Sequence, residues 1–250
     1  MFCPHCGKEI ADGQVFCQHC GARLAETAPI SGGREKTYWE DRESKGFISG
    51  LYATLKDVLF SPSVFFKRMP VTGGLTDPLL YALIIGMVSL IFSYFWQILL
   101  RGAMQGMMLP GMRAAAEQNI FRGIGMAVLA FFSPFLIILG LFIGSGILHV
   151  CLMLVKGARS GFEATFRVVA YGYSAYIFLV IPFCGGLLAG VWAIVLAIIG
   201  LREAHETTGG KAAFAVFLPV VVCCGLVLVA IAMFMSAAAL SLGTIVQMQK

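Results

Sequence analysis

The chain has 250 residues, 59% of them hydrophobic and only 12% charged, with a formal charge of +5 and a mean hydropathy of +0.87. A soluble domain carries about 25% charged residues, so the surface that charge fails to cover must face lipid. An ordinary soluble enzyme is excluded, and the modest, dispersed positive charge argues against a nucleic-acid partner.

The first residues lack the basic start, short apolar run and small-residue cleavage site of a secretory signal. Insertion is expected to begin at the first true span, with the N-terminus in the cytoplasm. The opening MFCPHCGKEIADGQVFCQHCGARL places Cys3 and Cys6 in one C-x-x-C pair and Cys17 and Cys20 in a second, each followed by glycine, Gly7 and Gly21. Zinc takes four thiolates at tetrahedral corners. A C-x-x-C turn supplies two from one knuckle, and the glycine lets the backbone turn beneath the metal. Between the knuckles, Asp12-Gly13 offers a turn, and Val15 and Phe16 a small apolar strand. Disulfides are the alternative, but a cytoplasmic segment is kept reduced, and a redox C-x-x-C belongs to a βαβ scaffold not seen here. The reading is one structural zinc on Cys3, Cys6, Cys17 and Cys20, with His5 and His19 as bystanders. A closed four-thiolate site has no open position for catalysis, and metal binding supplies its folding free energy. Residues 1–24 resemble the short zinc-ribbon modules at the front of bacterial and archaeal membrane proteins.

Residues 25–45, ETAPISGGREKTYWEDRESKG, are polar and mixed in charge and read as a flexible linker. Residues 46–70 read as interfacial amphipathic helices. Ile48, Leu51, Leu55 and Val58 recur at helical spacing, widened by Phe47, Tyr52 and Leu59. Ser61-Pro62 restarts the helix. Beyond it Phe65 and Phe66 reach toward the headgroups, with Lys67 and Arg68 toward anionic lipid. Ordinary packing against the bundle is the alternative for both segments.

Residues 71–250 read as a five-span membrane domain, with spans at 79–100, 125–155 (interrupted near Pro134), 166–182, 185–201 and 213–241. The third and fourth, separated by PFCGG, form either a tight hairpin or a partly re-entrant pair. Lys45, Lys56, Lys67, Arg68, Lys156, Arg159, Arg167, Arg202 and Lys211 then fall on the cytoplasmic side, against Arg101, Arg113, Arg122 and Lys250 outside. This bias predicts a cytoplasmic N-terminus and an outer C-terminus. Small residues mark close helix approach: Gly185, Ala189, Ala193 and Ala197, widened by Gly186 and Gly190, and a second site at Gly140 and Gly144. Packing within the chain is the default, and a homo-oligomer the alternative.

At SGFEATFRVVAYGYSAYIFLVIPFCGGLLAGVWAIVLAIIGLREAHETTGGKAAFAVFLP, and at FSPSVFFKRMPVTGGLTDPLLYALIIGMVSL over 60–90, the chain resembles the Yip-one domain family. The resemblance covers about 60–220. Its most specific parts are the Tyr171-Gly172-Tyr173-Ser174 run, the break at Pro182 and the loop before Lys211. It implies a five-span protein with cytoplasmic N-terminus and outer C-terminus, in a family named for members that interact with Ypt/Rab GTPases. The chain departs from eukaryotic members in carrying a ribbon in place of a longer cytoplasmic tail.

The fold class is therefore an all-α polytopic membrane protein of about five transmembrane helices, plus a small N-terminal four-cysteine zinc ribbon. His149 is the one ionisable side chain well inside a span and reads as a neutral core histidine, since no span offers it an acidic relay partner. Tyr171, Tyr173 and Tyr176 read as an interfacial girdle, or as a patch lining a groove. Met104, Met107, Met108 and Met112 read as interface fillers before a cuprous site. Cys151, Cys184, Cys223 and Cys224 read as small hydrophobes. No nucleophile–base pair, phosphate loop or paired carboxylates stand out, so the chain is not read as an enzyme. The functional expectation is a non-catalytic adaptor in a prokaryotic cytoplasmic membrane. Its ribbon recruits a cytoplasmic protein while the bundle organises membrane or protein cargo. The alternative is a small transporter or channel with a regulatory ribbon.

Overall fold

A computed structural model describes Cys6, Lys8, His19, Cys20, residues 34–107 and residues 120–248. Regular structure among the described residues is entirely helical. The chain divides into two compact units, Met1–Glu35 and Lys36–Lys250. The strand expected near Val15 lies outside the described residues.

In the second unit the order is α1 (Arg42–Lys45), α2 (Phe47–Phe60), α3 (Pro62–Arg68), α4 (Thr76–Met107), α5 (Ile120–Leu154), α6 (Gly161–Gly172), α7 (Gly185–Ala204) and α8 (Gly209–Met248). A 3-10 segment, Tyr173–Val180, continues directly from α6. Among the described residues, four helices are long and apolar enough to cross a membrane: Thr76–Leu100, Val128–Leu154, Gly185–Ala204 and Gly209–Met233. These match four of the five expected spans.

The segment expected as the third span, 166–182, is instead a short α-helix that tightens into the 3-10 segment. It nevertheless runs the depth of the bundle beside α4. Near the start of α4, Gly74 N–H donates to Glu163 Oε1 at 2.6 Å. At the other end Trp96 Nε1 donates to the Val180 carbonyl at 2.9 Å. From Thr76 to Trp96 an α-helix rises about 30 Å. From Glu163 to Val180, nine α steps and eight longer 3-10 steps also rise about 30 Å, the thickness of a hydrocarbon core. The 3-10 stretch lets fewer residues cover the same depth. Such irregular backbone survives at that depth where protein surrounds it, and this segment packs against α4, α5 and α7.

The break expected at Pro134 does not occur; Pro134 lies inside continuous α5. A proline lacks the N–H that would bond the carbonyl four residues back, here that of Ala130. The Ser133 hydroxyl donates to that same carbonyl at 2.7 Å. The freed acceptor is satisfied, so the helix continues.

The α2 stripe divides between two environments. Val58 and Leu59 are buried with Gly50 and Thr54, while Ile48 and Phe60 remain 74% and 78% exposed, with Tyr52 between them. One face packs on the bundle and the other is left apolar and open.

Gly185 fixes the hairpin before α7. A Cβ there would lie 2.2 Å from the Phe178 carbonyl oxygen, a backbone atom that cannot swing away. Gly190, a turn further along, has nothing within 4 Å. Gly185→Ala should therefore destabilise the bundle by about 1–3 kcal/mol, and Gly190→Ala should leave it unchanged. Thermal unfolding midpoints in detergent decide this; equal midpoints for the two variants would contradict the packing described.

Candidate functional site

GFEATFRVVAYG is the most polar stretch of the bundle, with Glu163 and Arg167 in its first two turns. A charge facing lipid at such depth costs several kcal/mol. The fold answers by surrounding α6 with protein, so Ala164, Thr165, Phe166, Arg167, Val168, Ala170 and Tyr171 are all buried.

The counter-charge comes from the region expected to be linker. Residues 36–45 form a strap folded onto the bundle, with Trp39 buried in its main apolar cluster beside Phe66, Tyr81 and Tyr171. The strap's backbone passes so close to α2 that a Cβ at Gly50 would lie 2.7 Å from the Tyr38 carbonyl oxygen. The linker expectation fails over this half. Thr37, Trp39 and Glu40 find specific partners far along the chain.

Glu40 and Arg167 form a salt bridge whose side chains are 6% and 2% exposed. Tyr171 donates its single hydroxyl proton to Glu40 Oε1 at 2.7 Å. The Thr37 hydroxyl must then donate to the Tyr171 oxygen, at 3.1 Å, and itself accepts from Glu40 N–H at 3.2 Å. Arg167 Nη1 donates to the Gly74 carbonyl at 2.8 Å. Around this core, Trp39 N–H donates to Thr54 Oγ1 at 2.9 Å and Trp39 Nε1 to the Asp77 carbonyl at 2.7 Å. Arg42 pairs with Asp77 at 2.8 Å and stands 4.7 Å from the Trp39 ring. The charges are paired with one another and bonded to backbone, as buried charges must be. Arg167 is thus a core residue.

The three expected tyrosines do not form one patch. Tyr171 points into the core, with ring centroids 5.2 Å from Phe65 and 5.1 Å from Tyr81. Tyr173 and Tyr176 stack edge-on at 5.0 Å, and Tyr176 is 37% exposed. His149 lies on α5, its Nδ1 2.8 Å from Thr165 Oγ1. Beyond Thr165 lies His205, which sequence reasoning missed because 56 positions separate the two histidines. Of the small residues, Gly185 and Ala189 are buried, and Ala193 and Ala197 pack against the core cluster. Gly190 and Gly144 have open space at Cβ, Gly186 meets only Leu179 at 4.0 Å, and Gly140 only the Tyr173 hydroxyl at 4.0 Å. The α7 stripe is turned inward along Gly185 and Ala189 and outward along Gly186 and Gly190.

Cys6 and Cys20 are exposed turn residues, one from each C-x-x-C pair. Cys3, Cys17 and His5 lie outside the described residues, as do Met108 and Met112. The two C-x-x-C pairs supply four thiolate donors, the set a structural zinc site takes.

The model of the Yip1 domain matches residues 56–231, which takes in α4 to α7 whole and most of α8. The chain belongs to the Yip1 domain family. A zinc-ribbon domain model matches residues 2–24. No curated protein and no solved structure matches the chain. The Yip1 domain here is therefore an integral membrane domain preceded by a zinc-ribbon domain, and the strap enters it from upstream of the matched region.

Removing one member of a buried ion pair leaves the other charge stranded, at a cost of about 3–5 kcal/mol. Arg167→Met should lower bundle stability by that amount, and adding Glu40→Gln should recover part of it. Deleting residues 1–24 should leave the detergent melting midpoint unchanged, whereas deleting 1–45, which removes Thr37, Trp39 and Glu40, should lower it markedly. Identical midpoints for the two deletions would overturn the strap's structural role.

Proposed function

We propose that this Yip1 domain protein is a non-catalytic membrane adaptor. Its zinc ribbon, holding one metal through Cys3, Cys6, Cys17 and Cys20, recruits a cytoplasmic protein partner, and its bundle organises membrane or protein cargo. The observation that carries this reading is the strap. A separate N-terminal unit is joined covalently to a membrane bundle through a segment locked by buried charge, the arrangement expected where a recruiting module must be held to a membrane. The charges deepest in the bundle, Glu40 and Arg167, bond to each other and to Gly74 while Arg167 Nε has no hydrogen bond among the described residues, and this direct neutralisation favours a scaffold over a site for a charged substrate. The open apolar face of α2, Ile48, Tyr52 and Phe60, with exposed Lys56 and Lys67, suits the headgroup layer of the cytoplasmic leaflet.

The parallel course of α4 and the 161–180 segment supports five crossings, hence termini on opposite sides, and the basic-residue bias favours the N-terminus in the cytoplasm and the C-terminus outside. A periplasm-active reporter fused after residue 250 should report activity, and a cytoplasm-only reporter none; the reverse result would mean four crossings. Purified protein should carry one zinc per chain and lose it on Cys17→Ser while the spans still insert. Affinity capture from native membranes should recover the partner with the full chain and not after deletion of residues 1–24. Selective solute flux in sealed proteoliposomes would replace the adaptor with the transporter reading.

A further inference from the structure

The turn between α5 and α6 (155–160) and the turn between α7 and α8 (205–208) meet at one end of the bundle. Ser160 Oγ donates to the Ala204 carbonyl at 2.8 Å, Arg159 Nη1 to the Glu206 carbonyl at 3.1 Å, and Lys211 Nζ to the Lys156 carbonyl at 3.3 Å. At the centre of this seam sits His205, fully buried. Ser160 N–H lies 3.1 Å from its Nδ1, and its Nε2 lies 2.9 Å from Thr165 Oγ1. The Thr165 hydroxyl in turn lies 2.8 Å from His149 Nδ1.

The protons in this chain are fixed by the one group that cannot reverse. A backbone N–H only donates, so His205 Nδ1 accepts, and the neutral ring carries its proton on Nε2. That proton goes to Thr165, whose own hydroxyl proton then goes to His149 Nδ1. Every bond points one way, from Ser160 through His205 and Thr165 to His149.

A second proton on either imidazole has unequal consequences. At His149 it turns Nδ1 into a donor, which Thr165 tolerates because a hydroxyl oxygen has two lone pairs. At His205 it places an N–H against the Ser160 N–H, in a buried position with the acceptor lost. We propose that His205 is a proton-sensitive latch: neutral, it holds the two turns together; protonated, it releases the 155–160 turn. The charged groups on the elements that meet here are Lys156, Arg159, Arg202, Glu203, Glu206 and Lys211, with Lys67 and Arg68 on α3, which packs against α7. Arg159 and Lys211 bond the opposite turn as given above, and Arg202 pairs with Glu203. On α6, Glu163 bonds Gly74 N–H and Arg167 pairs with Glu40. Thr165 stands between these last two, so the latch acts on the same helical turns that receive the strap. The latch stands independently of the adaptor reading.

Hydrogen exchange at the Ser160 amide, measured in nanodiscs between pH 7.5 and 5.5 and corrected for intrinsic chemical rates, tests it. Opening coupled to one proton rises by up to about tenfold per pH unit, so protection should fall at least severalfold in the wild type. His205→Gln keeps an acceptor for Ser160 and a donor for Thr165 but takes up no proton, so its profile should be flat. His149→Gln should retain the wild-type response. A flat wild-type profile, or an undiminished response in His205→Gln, overturns the latch. Should His205→Gln fail to fold, nitrogen-15 spectra of the wild-type imidazoles decide independently. His205 should be the Nε2–H tautomer at pH 7.5, and an Nδ1–H tautomer would overturn the proposal.

Discussion

The buried pair of Glu40 and Arg167 is the constraint on which the rest of the bundle depends. Arg167 sits on the one helix that is too polar to face lipid, and its charge is tolerable only where protein closes around it and supplies a carboxylate. That carboxylate comes from outside the spans. To deliver Glu40, the strap must lie against the bundle, and Trp39 fills the space beside Phe66 and Tyr81. Thr54 then has to face inward to receive the strap's backbone. The orientation of α2 follows, and with it the choice of which α2 residues remain exposed. One electrostatic requirement thus sets the position of three segments, the strap, α2 and α6.

The same logic separates the inner helix from its neighbours. Lipid-facing helices must satisfy their own backbone, so they are long, apolar and regular; where α5 departs from regularity at Pro134, the Ser133 side chain repairs the missing bond. The 161–180 segment is freer of that obligation because other helices cover most of it. It can change from α to 3-10 at Tyr173 and carry Glu163, Arg167 and four tyrosine or serine hydroxyls in its polar half and beyond. Each buried hydroxyl still needs a partner: Tyr81 and Ser174 bond at 2.7 Å, as Tyr171 and Glu40 do. Polarity is concentrated where lipid is absent.

These differences decide what the sequence made legible. Four long apolar runs declare themselves by composition, because nothing but lipid accommodates them. The paired C-x-x-C motifs declare a metal site because spacing and donor type together are specific. The strap does not declare itself, since ETAPISGGREKTYWEDRESKG has the composition of a linker and its contacts with α6 are 127 to 134 positions away. A signal was present: Arg167 inside an expected span demands a partner, and Tyr38-Trp39 is an aromatic pair in an otherwise polar stretch. Tyr171, Tyr173 and Tyr176 were grouped by proximity in sequence, but the helix type changes between the first and the others, so their directions diverge. His149 looked solitary because its relay runs through a threonine to a histidine on another turn.

The strap also ties together the two elements that run side by side through the bundle. Glu40 pairs with Arg167 on α6, and Trp39 Nε1 donates to the Asp77 carbonyl at the start of α4. At the other end Trp96 of α4 donates to the Val180 carbonyl, the last residue of the 3-10 segment. The parallel pair is thus joined at both ends, by buried charge and the strap's indole at one and by a second indole at the other. Polar bonds fix the register of the two elements, and apolar packing fills the length between them.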